Sequence, residues 1–288
     1  MAGELRQNLN RYGIRAKKGL GQNFLADPNY VARIIDAADL SAGDVVVEIG
    51  PGPATLTGDL ARAVGPSGKV IAVEVDESLR PLLSDLCRDH PQVDILWQDA
   101  LKVDYDAVTQ PWRGDKPFVL VANLPYYITT PILMRLLEGG FAVSRLVVMV
   151  QKEVADRMLA PAGHSDYGAL SVAIQYRCAP TLVTKVPPGA FIPPPKVSSA
   201  VVRLDRRTSP PVDVTDEAAF FRVVRAAFNQ RRKTLLNALG ALGVPLTKEE
   251  MATRLTTAGI DTGRRGETLN LEEFAKAADA LYREASAL

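Results

Sequence analysis

Apolar residues in the first half of the chain gather into short β-branched runs. These are DVVVEIG (44–50), KVIAVEV (69–75), VDILW (93–97) and FVLVAN (118–123). Each is nearly continuous in apolar residues, the pattern of strands buried on both faces of a parallel sheet. The segments between them, ATLTGDLARAV (54–64) and ESLRPLLSDLCRD (77–89), suit helices. Strand, helix and strand in that order predict right-handed crossovers and a doubly wound sheet. RLVVMVQ (145–151) reads as a fifth strand. SVAIQY (171–176) and SSAVVRL (198–204) are candidates for antiparallel strands that finish the sheet.

The pattern changes near residue 205. RTSPPVDVTD (207–216) reads as a linker by its prolines and polar residues. Beyond it FFRVVRAAF, KTLLNAL, KEEMATRL and LEEFAKAADALY have helical character without β-branched alternation. The expected organisation is a Rossmann-like α/β domain over residues 1–206, with an N-terminal arm. A small all-helical domain would occupy residues 207–288.

Composition narrows the possibilities. With 47% hydrophobic and 23% charged residues, the chain can bury an ordinary globular core. No run of about 18 apolar residues occurs, so no membrane span is expected. The N-terminal stretch lacks the apolar segment of a secretory signal, and a cytoplasmic location is expected. Cys87 and Cys178 are too few for a disulfide framework or a zinc cage. His90 and His164 are the only histidines, so no metal site is expected. No exposed apolar helix face stands out, which favours a monomer.

Net charge is only +1, yet its distribution is uneven. Residues 1–18 carry Arg6, Arg11, Arg15, Lys17 and Lys18 against Glu4 alone. Between Ala218 and Thr247 stand Arg222, Arg225, Arg231, Arg232 and Lys233 without an acid. Such patches attract phosphates even when the total balances.

Candidate chemistry sits at the strand ends. The first strand leads into Gly50-Pro51-Gly52-Pro53-Ala54-Thr55, where Gly50 and Gly52 let the backbone pass close to a ligand. Thr55 stands in the third glycine place of the dinucleotide fingerprint, so that match fails. The second strand ends at Glu74, placed to accept from ribose hydroxyls, with Asp76 as a competitor. The third runs into Gln98-Asp99-Ala100, where Asp99 can accept from an adenine amine. Together these ends imply an adenosine-containing ligand. The loop favours S-adenosylmethionine over a dinucleotide, and a nicotinamide-dependent oxidoreductase is the alternative.

The fourth strand ends Asn123-Leu124-Pro125-Tyr126. An adenine amine is a poor nucleophile, because its lone pair is delocalised into the ring. Two acceptors that take both N–H bonds pull the nitrogen toward tetrahedral geometry. The Asn123 side-chain oxygen and the Leu124 carbonyl can be those acceptors. Pro125 stiffens the turn after that carbonyl. Tyr126 can stack on an extruded base.

With GQNFL (21–25), VEIGPGPATLT (47–57), NLPYYITTPI (123–132), FIPPPKVSSAVVRL (191–204) and FNQRRKTLLNAL (228–239), the chain resembles the small-subunit rRNA adenine N6,N6-dimethyltransferases. The resemblance runs from Gly21 to about Glu267. It implies a Rossmann-like S-adenosylmethionine-dependent methyltransferase sheet and a C-terminal RNA-binding helical domain. Its substrate would be two adjacent adenines in a hairpin near the 3′ end of small-subunit rRNA, met in a pre-ribosomal 30S particle. Gln22, Asn23 and Leu25 would close over the cofactor. Phe191 would face Tyr126 across the target base. Arg222, Arg225, Arg231, Arg232 and Lys233 would contact rRNA phosphates, although those near FNQRRKT can also cap or pack helices. Many members have a third glycine where this chain has Ala54. The remaining alternatives are a large-subunit rRNA methyltransferase of the resistance type and a mainly non-catalytic assembly factor.

Overall fold

The computed structural model describes residues 2–282. They form two compact units. One comprises the chain up to Ala155 together with Pro180–Arg206, and the other comprises Asp156–Ala179 and the described residues from Arg207 onward.

The strands are β1 (Phe24–Leu25), β2 (Val45–Ile49), β3 (Lys69–Glu74), β4 (Val93–Trp97), β5 (Phe118–Asn123), β6 (Val143–Gln151), β7 (Cys178–Val186), β8 (Phe191–Ile192) and β9 (Ser199–Arg206). A seven-stranded sheet runs in the order β4-β3-β2-β5-β6-β9-β7. The first five strands are parallel, and β9 pairs antiparallel with β6. β1 and β8 form a separate antiparallel ribbon that sets Leu25 opposite Phe191.

In chain order the helices are α1 (Ala2–Arg11), α2 (Pro28–Ala38), α3 (Thr57–Val64), α4 (Arg80–Asp89), α5 (Tyr105–Arg113), α6 (Thr129–Glu138), α7 (Lys152–Leu159) and α8 (Ala169–Arg177). α2 shows why such segments start where they do. Asp27 accepts from the Asn29 N–H at 2.9 Å, and Pro28 fills the first helical position. Val31, Ile34 and Ala38 of α2 and Leu60, Ala61 and Val64 of α3 then pack with Val46, Val70, Val119 and Val121 of the sheet. Every residue of β2 and β3 is buried, which explains their unbroken apolar runs. A second cluster is made by the N-terminal arm. Leu5 and Leu9, one helical turn apart on α1, join Ile14 and Phe24 against Leu79, Leu82 and Leu83.

SVAIQY departs from expectation, since residues 171–176 lie in α8 rather than in a strand. Leu170 through Ile174, and Tyr176, are all buried. A helix buried all round carries no period of 3.6 and imitates a buried strand. Ser171 favours the helix by accepting from the Gly168 N–H at 3.0 Å. The strand in this region is β7, whose Pro180 and exposed Thr181 and Leu182 hid it from the pattern. β7 is the sheet's edge, where a proline is tolerated.

The second unit combines α8 with α9 (Glu217–Asn229), α10 (Leu235–Leu239), α11 (Lys248–Thr257) and α12 (Leu271–Tyr282). Asp216 caps α9 by accepting from the Ala218 and Ala219 N–H groups. Tyr176 of α8 stacks on Phe220 with ring centres 5.0 Å apart and meets Phe221 edge-on. Residues 156–179, expected within the first domain, thus group with the C-terminal helices. Their partners, Phe220, Phe221 and Phe228, lie more than 40 residues later and only tertiary packing brings them together.

Candidate active site

β2 lies between β3 and β5, so the chain leaves it at the point where strand order reverses. In open α/β sheets that crevice is where ligands bind. Here the loops after β2, β3, β4 and β5 and the N-terminal arm border one cavity of about 300 Å³. Gly50, Gly52, Glu74, Asp99, Ala100, Asn123, Leu124, Pro125 and Tyr126 all line it. So do Gln22, Asn23 and Leu25 from the arm.

The glycine loop is held in left-handed backbone. Gly50 has φ 72° and Gly52 φ 54°, and a β-carbon on Gly52 would come within 3.3 Å of the Phe24 ring. Ala54 shares this conformation at φ 63° without being glycine.

Glu74 is almost fully buried. Its carboxylate accepts from the backbone N–H groups of Val75 and Asp76 at 2.8 Å each and of Gly52 at 3.2 Å. Burial raises its pKa, and the three donors oppose that rise. Asp76, the competitor for the ribose, has another task. Burial alone would raise its carboxyl. Hydrogen bonds from Lys17 (2.6 Å), Ser78 and Gln22 (2.8 Å) outweigh burial and hold it at about 2. Asp76 therefore latches the arm. The Gln22 side chain belongs to that latch, since its oxygen also accepts from the Lys17 N–H at 2.8 Å.

Asn123 donates its side-chain N–H to the Asn23 carbonyl at 3.2 Å. This fixes the amide, with Oδ1 as its remaining acceptor. The Leu124 N–H donates to the Met149 carbonyl at 3.1 Å, and the Thr129 hydroxyl to the Pro125 carbonyl at 3.1 Å, so the turn is tied at both ends. Tyr126 is half-buried, with its hydroxyl 2.7 Å from Ser199 Oγ. Asp99 Oδ1 accepts from the Leu101 N–H at 2.9 Å, which orients the carboxylate.

Glu48 Oε2 and Thr55 Oγ1 are buried oxygens on the wall. Burial, with Glu74 close by, pushes the Glu48 carboxyl up to about 8, and Thr57 beside it opposes the rise. The Thr57 hydroxyl serves Glu48, which leaves Thr55 Oγ1 as the wall oxygen open to a polar group of a ligand. Glycines that admit a close backbone, Glu74 and Asp99 fit the methionine, ribose and adenine parts of S-adenosylmethionine in turn.

Phe191 does not line the cavity. It is 3% exposed and packs in the core with Leu25, Val186 and Val201. It stands opposite Leu25 across the β1–β8 ribbon, and both side chains are buried. Among the basic residues of the second unit, Arg231 donates to the Ser165 and Tyr167 carbonyls at 2.8 and 3.1 Å and pairs with Glu267. Arg222 lies over the Tyr282 ring at 4.4 Å. Arg225, Arg232 and Lys233 are exposed. Sequence reasoning missed Tyr127 and Val75 on the cavity rim and the Lys17–Asp76 latch. The doubled tyrosine of NLPYY was the available signal for the first. Nothing in the sequence ties Lys17 to Asp76. Among the described residues no cluster of metal-ligating side chains occurs, and no helix is long and apolar enough to cross a membrane.

A parallel sheet of this order, with an adenosine-shaped set of acceptors at its carboxyl edge and Asn-Leu-Pro-Tyr at the end of β5, defines a Rossmann-like S-adenosylmethionine-dependent methyltransferase. Residues 13–281 match the family described as Ribosomal RNA adenine dimethylase, and the chain belongs to that family. It is 51% identical over 282 residues to a Ribosomal RNA small subunit methyltransferase A of Pelotomaculum thermopropionicum, covering 96% of this chain and 95% of the relative. The protein of that name from Clostridium perfringens is 48% identical over 274 residues, covering 95% and 93%. Among solved structures, a dimethyladenosine transferase from Plasmodium falciparum superposes with a TM-score of 0.71 at 26% identity, covering 88% of this chain and 95% of that one. The 23S rRNA methyltransferase ErmE gives 0.67 at 27%, covering 90% and 99%.

Proposed function

We propose that this enzyme dimethylates the N6 amines of two adjacent adenines in a hairpin near the 3′ end of small-subunit rRNA, acting in the cytoplasm on a pre-ribosomal 30S particle, as a monomer. The observation that carries the reading is the fixed Asn123 amide. Its N–H is engaged by Asn23, which leaves Oδ1 as the free acceptor of a residue that lines the cavity together with Leu124. The names of the relatives at 48–51% identity support the small subunit over the large one.

Bound in the cavity, S-adenosylmethionine supplies an electrophilic methyl group. The chain's own residues then position the acceptor. Asn123 Oδ1 and the Leu124 carbonyl accept the two N–H bonds of the adenine amine and aim its lone pair. Neither residue needs to remove a proton before transfer. Tyr126, held by Ser199, stacks on the base. The arm, latched by Asp76 and Asn123, excludes water. Positioning and preorganised dipoles thus supply the rate. Arg225, Arg232 and Lys233 add phosphate contacts, which weaken as salt rises.

The test is transfer of labelled methyl from S-adenosylmethionine to small subunits that lack the modification, followed by mapping of the product. Label is expected on two adjacent adenines as dimethyladenine. Asn123→Ala should bind cofactor and lose transfer. Label confined to large subunits, or near-normal transfer by Asn123→Ala, would overturn the reading.

A further inference from the structure

The two tyrosines that end NLPYY differ sharply. Tyr126 is half-buried and tied through its hydroxyl to Ser199. Tyr127 is 58% exposed, although it lines the same cavity. Five large apolar residues are exposed among those described: Val75, Trp112, Tyr127, Leu182 and Val197. Trp112 is covered by the Lys69 ammonium at 4.0 Å from its ring centre. Only Val75 and Tyr127 border the cavity. Val75 follows Glu74, on the side that fits the adenosine of the cofactor. Tyr127 follows the acceptor turn.

The Tyr127 ring is not loose. The arm passes behind it at Gly21, whose φ of 62° favours glycine. A β-carbon on Gly21 would lie 3.3 Å from Tyr127 Cδ1 and 3.5 Å from Cε1. The neighbouring Gln22 is held by Asp76, so the support behind the ring is itself anchored. Lys18 begins the turn that Gly21 ends, its carbonyl accepting from the Gly21 N–H at 3.0 Å, and its side chain is exposed. A backed, exposed aromatic ring, with an exposed lysine in the turn that its backing glycine ends, suits single-stranded nucleic acid.

We propose that Tyr127 is a stacking platform for the nucleotide flanking the target adenine, with Gly21 as its rear support and Lys18 taking an adjoining phosphate. The proposal rests on the methyltransferase reading above and extends it to the unpaired RNA around the extruded base. Stacking on an aromatic face is tolerant of base identity. The same platform therefore serves whichever of two neighbouring adenines is outside the pocket.

The test compares the full-length wild type with Tyr127→Phe and Tyr127→Ala. Three quantities are measured: KM and kcat for small subunits, the Kd for S-adenosylmethionine, and the fluorescence of a hairpin RNA carrying 2-aminopurine beside the target adenine. Tyr127→Phe should match the wild type throughout. Tyr127→Ala should raise KM roughly tenfold. Its kcat and cofactor Kd should stay near wild type, and the quenching of 2-aminopurine seen with wild type should be lost. An unchanged KM for Tyr127→Ala overturns the proposal. So does an equal loss of cofactor affinity, which would make the ring a prop for the arm. If wild type transfers no methyl to small subunits, the functional reading fails by itself, whereas the fluorescence still reports whether the ring stacks on RNA.

Discussion

The side-chain amide of Asn123 donates to the backbone carbonyl of Asn23, 3.2 Å away and 100 residues earlier in the chain. The bond joins the acceptor turn to the arm and decides which end of the amide faces the substrate. Asn123→Asp keeps an acceptor oxygen but presents a carboxylate to a carbonyl, with no proton between them. Its kcat should fall about 10²- to 10³-fold, comparable to losing one preorganised donor or acceptor. Trypsin should also cut faster at Lys17 and Lys18. Single-turnover transfer and timed digestion check both.

Asp76 holds the arm at its other end. Asp76→Asn keeps the shape and removes the charge that pairs with Lys17. Lys17 is half exposed, so the pair itself is worth little in water. The expected outcome is faster amide hydrogen exchange over residues 17–25, weaker cofactor binding and a lower melting temperature at neutral pH. Exchange mass spectrometry and equilibrium dialysis measure these. In the wild type, Asp76 titrates at about 2, below the ordinary 3.8. The latch therefore contributes fully above about pH 4 and is lost as pH falls toward 2.

Glu48 behaves in the opposite sense. Its folded-state value of about 8 exceeds the ordinary 4.5, so the folded chain keeps a proton that the unfolded chain releases. Stability is undiminished below pH 4.5 and declines as pH rises to about 8. Glu48→Gln removes this decline. The variant should match wild type at pH 4 and exceed it at pH 8.5 by up to about 5 kcal/mol, each pH unit between 4.5 and 8 being worth about 1.4 kcal/mol. Urea unfolding at the two pH values decides the matter.

Ala54 sits at φ 63°, where a β-carbon is crowded. Ala54→Gly should stabilise the protein by about 0.5–1 kcal/mol, the relief of strain exceeding the added entropy of the unfolded chain. A small rise in melting temperature, with cofactor affinity unchanged, is the expected result.

The basic stretch of the second unit divides by partner. Arg231→Ala removes bonds to the Ser165 and Tyr167 carbonyls and should destabilise the unit by about 1 kcal/mol. Arg232→Ala and Lys233→Ala should leave the melting temperature unchanged. Each should reduce the salt dependence of RNA binding by about one counterion. Thermal unfolding and binding titrations over a range of salt separate the two groups.

The sequence by itself determined the five parallel strands, the glycine loop, Glu74, Asp99 and the Asn-Leu-Pro-Tyr turn. Buried parallel strands write continuous β-branched runs, and their ends must carry the residues that meet a ligand at the carboxyl edge. Helices α9 to α12 were legible too, because each has one buried face. Tertiary structure alone decided that 171–176 is a helix and that 178–186 is a strand, since uniform burial erases the period that tells them apart. It turned Phe191 into the core, gave Asp76 to Lys17 and Gln22, and set Gly21 behind Tyr127. These pairs lie 54 or more residues apart, and side-chain packing between distant segments leaves no mark on local spacing.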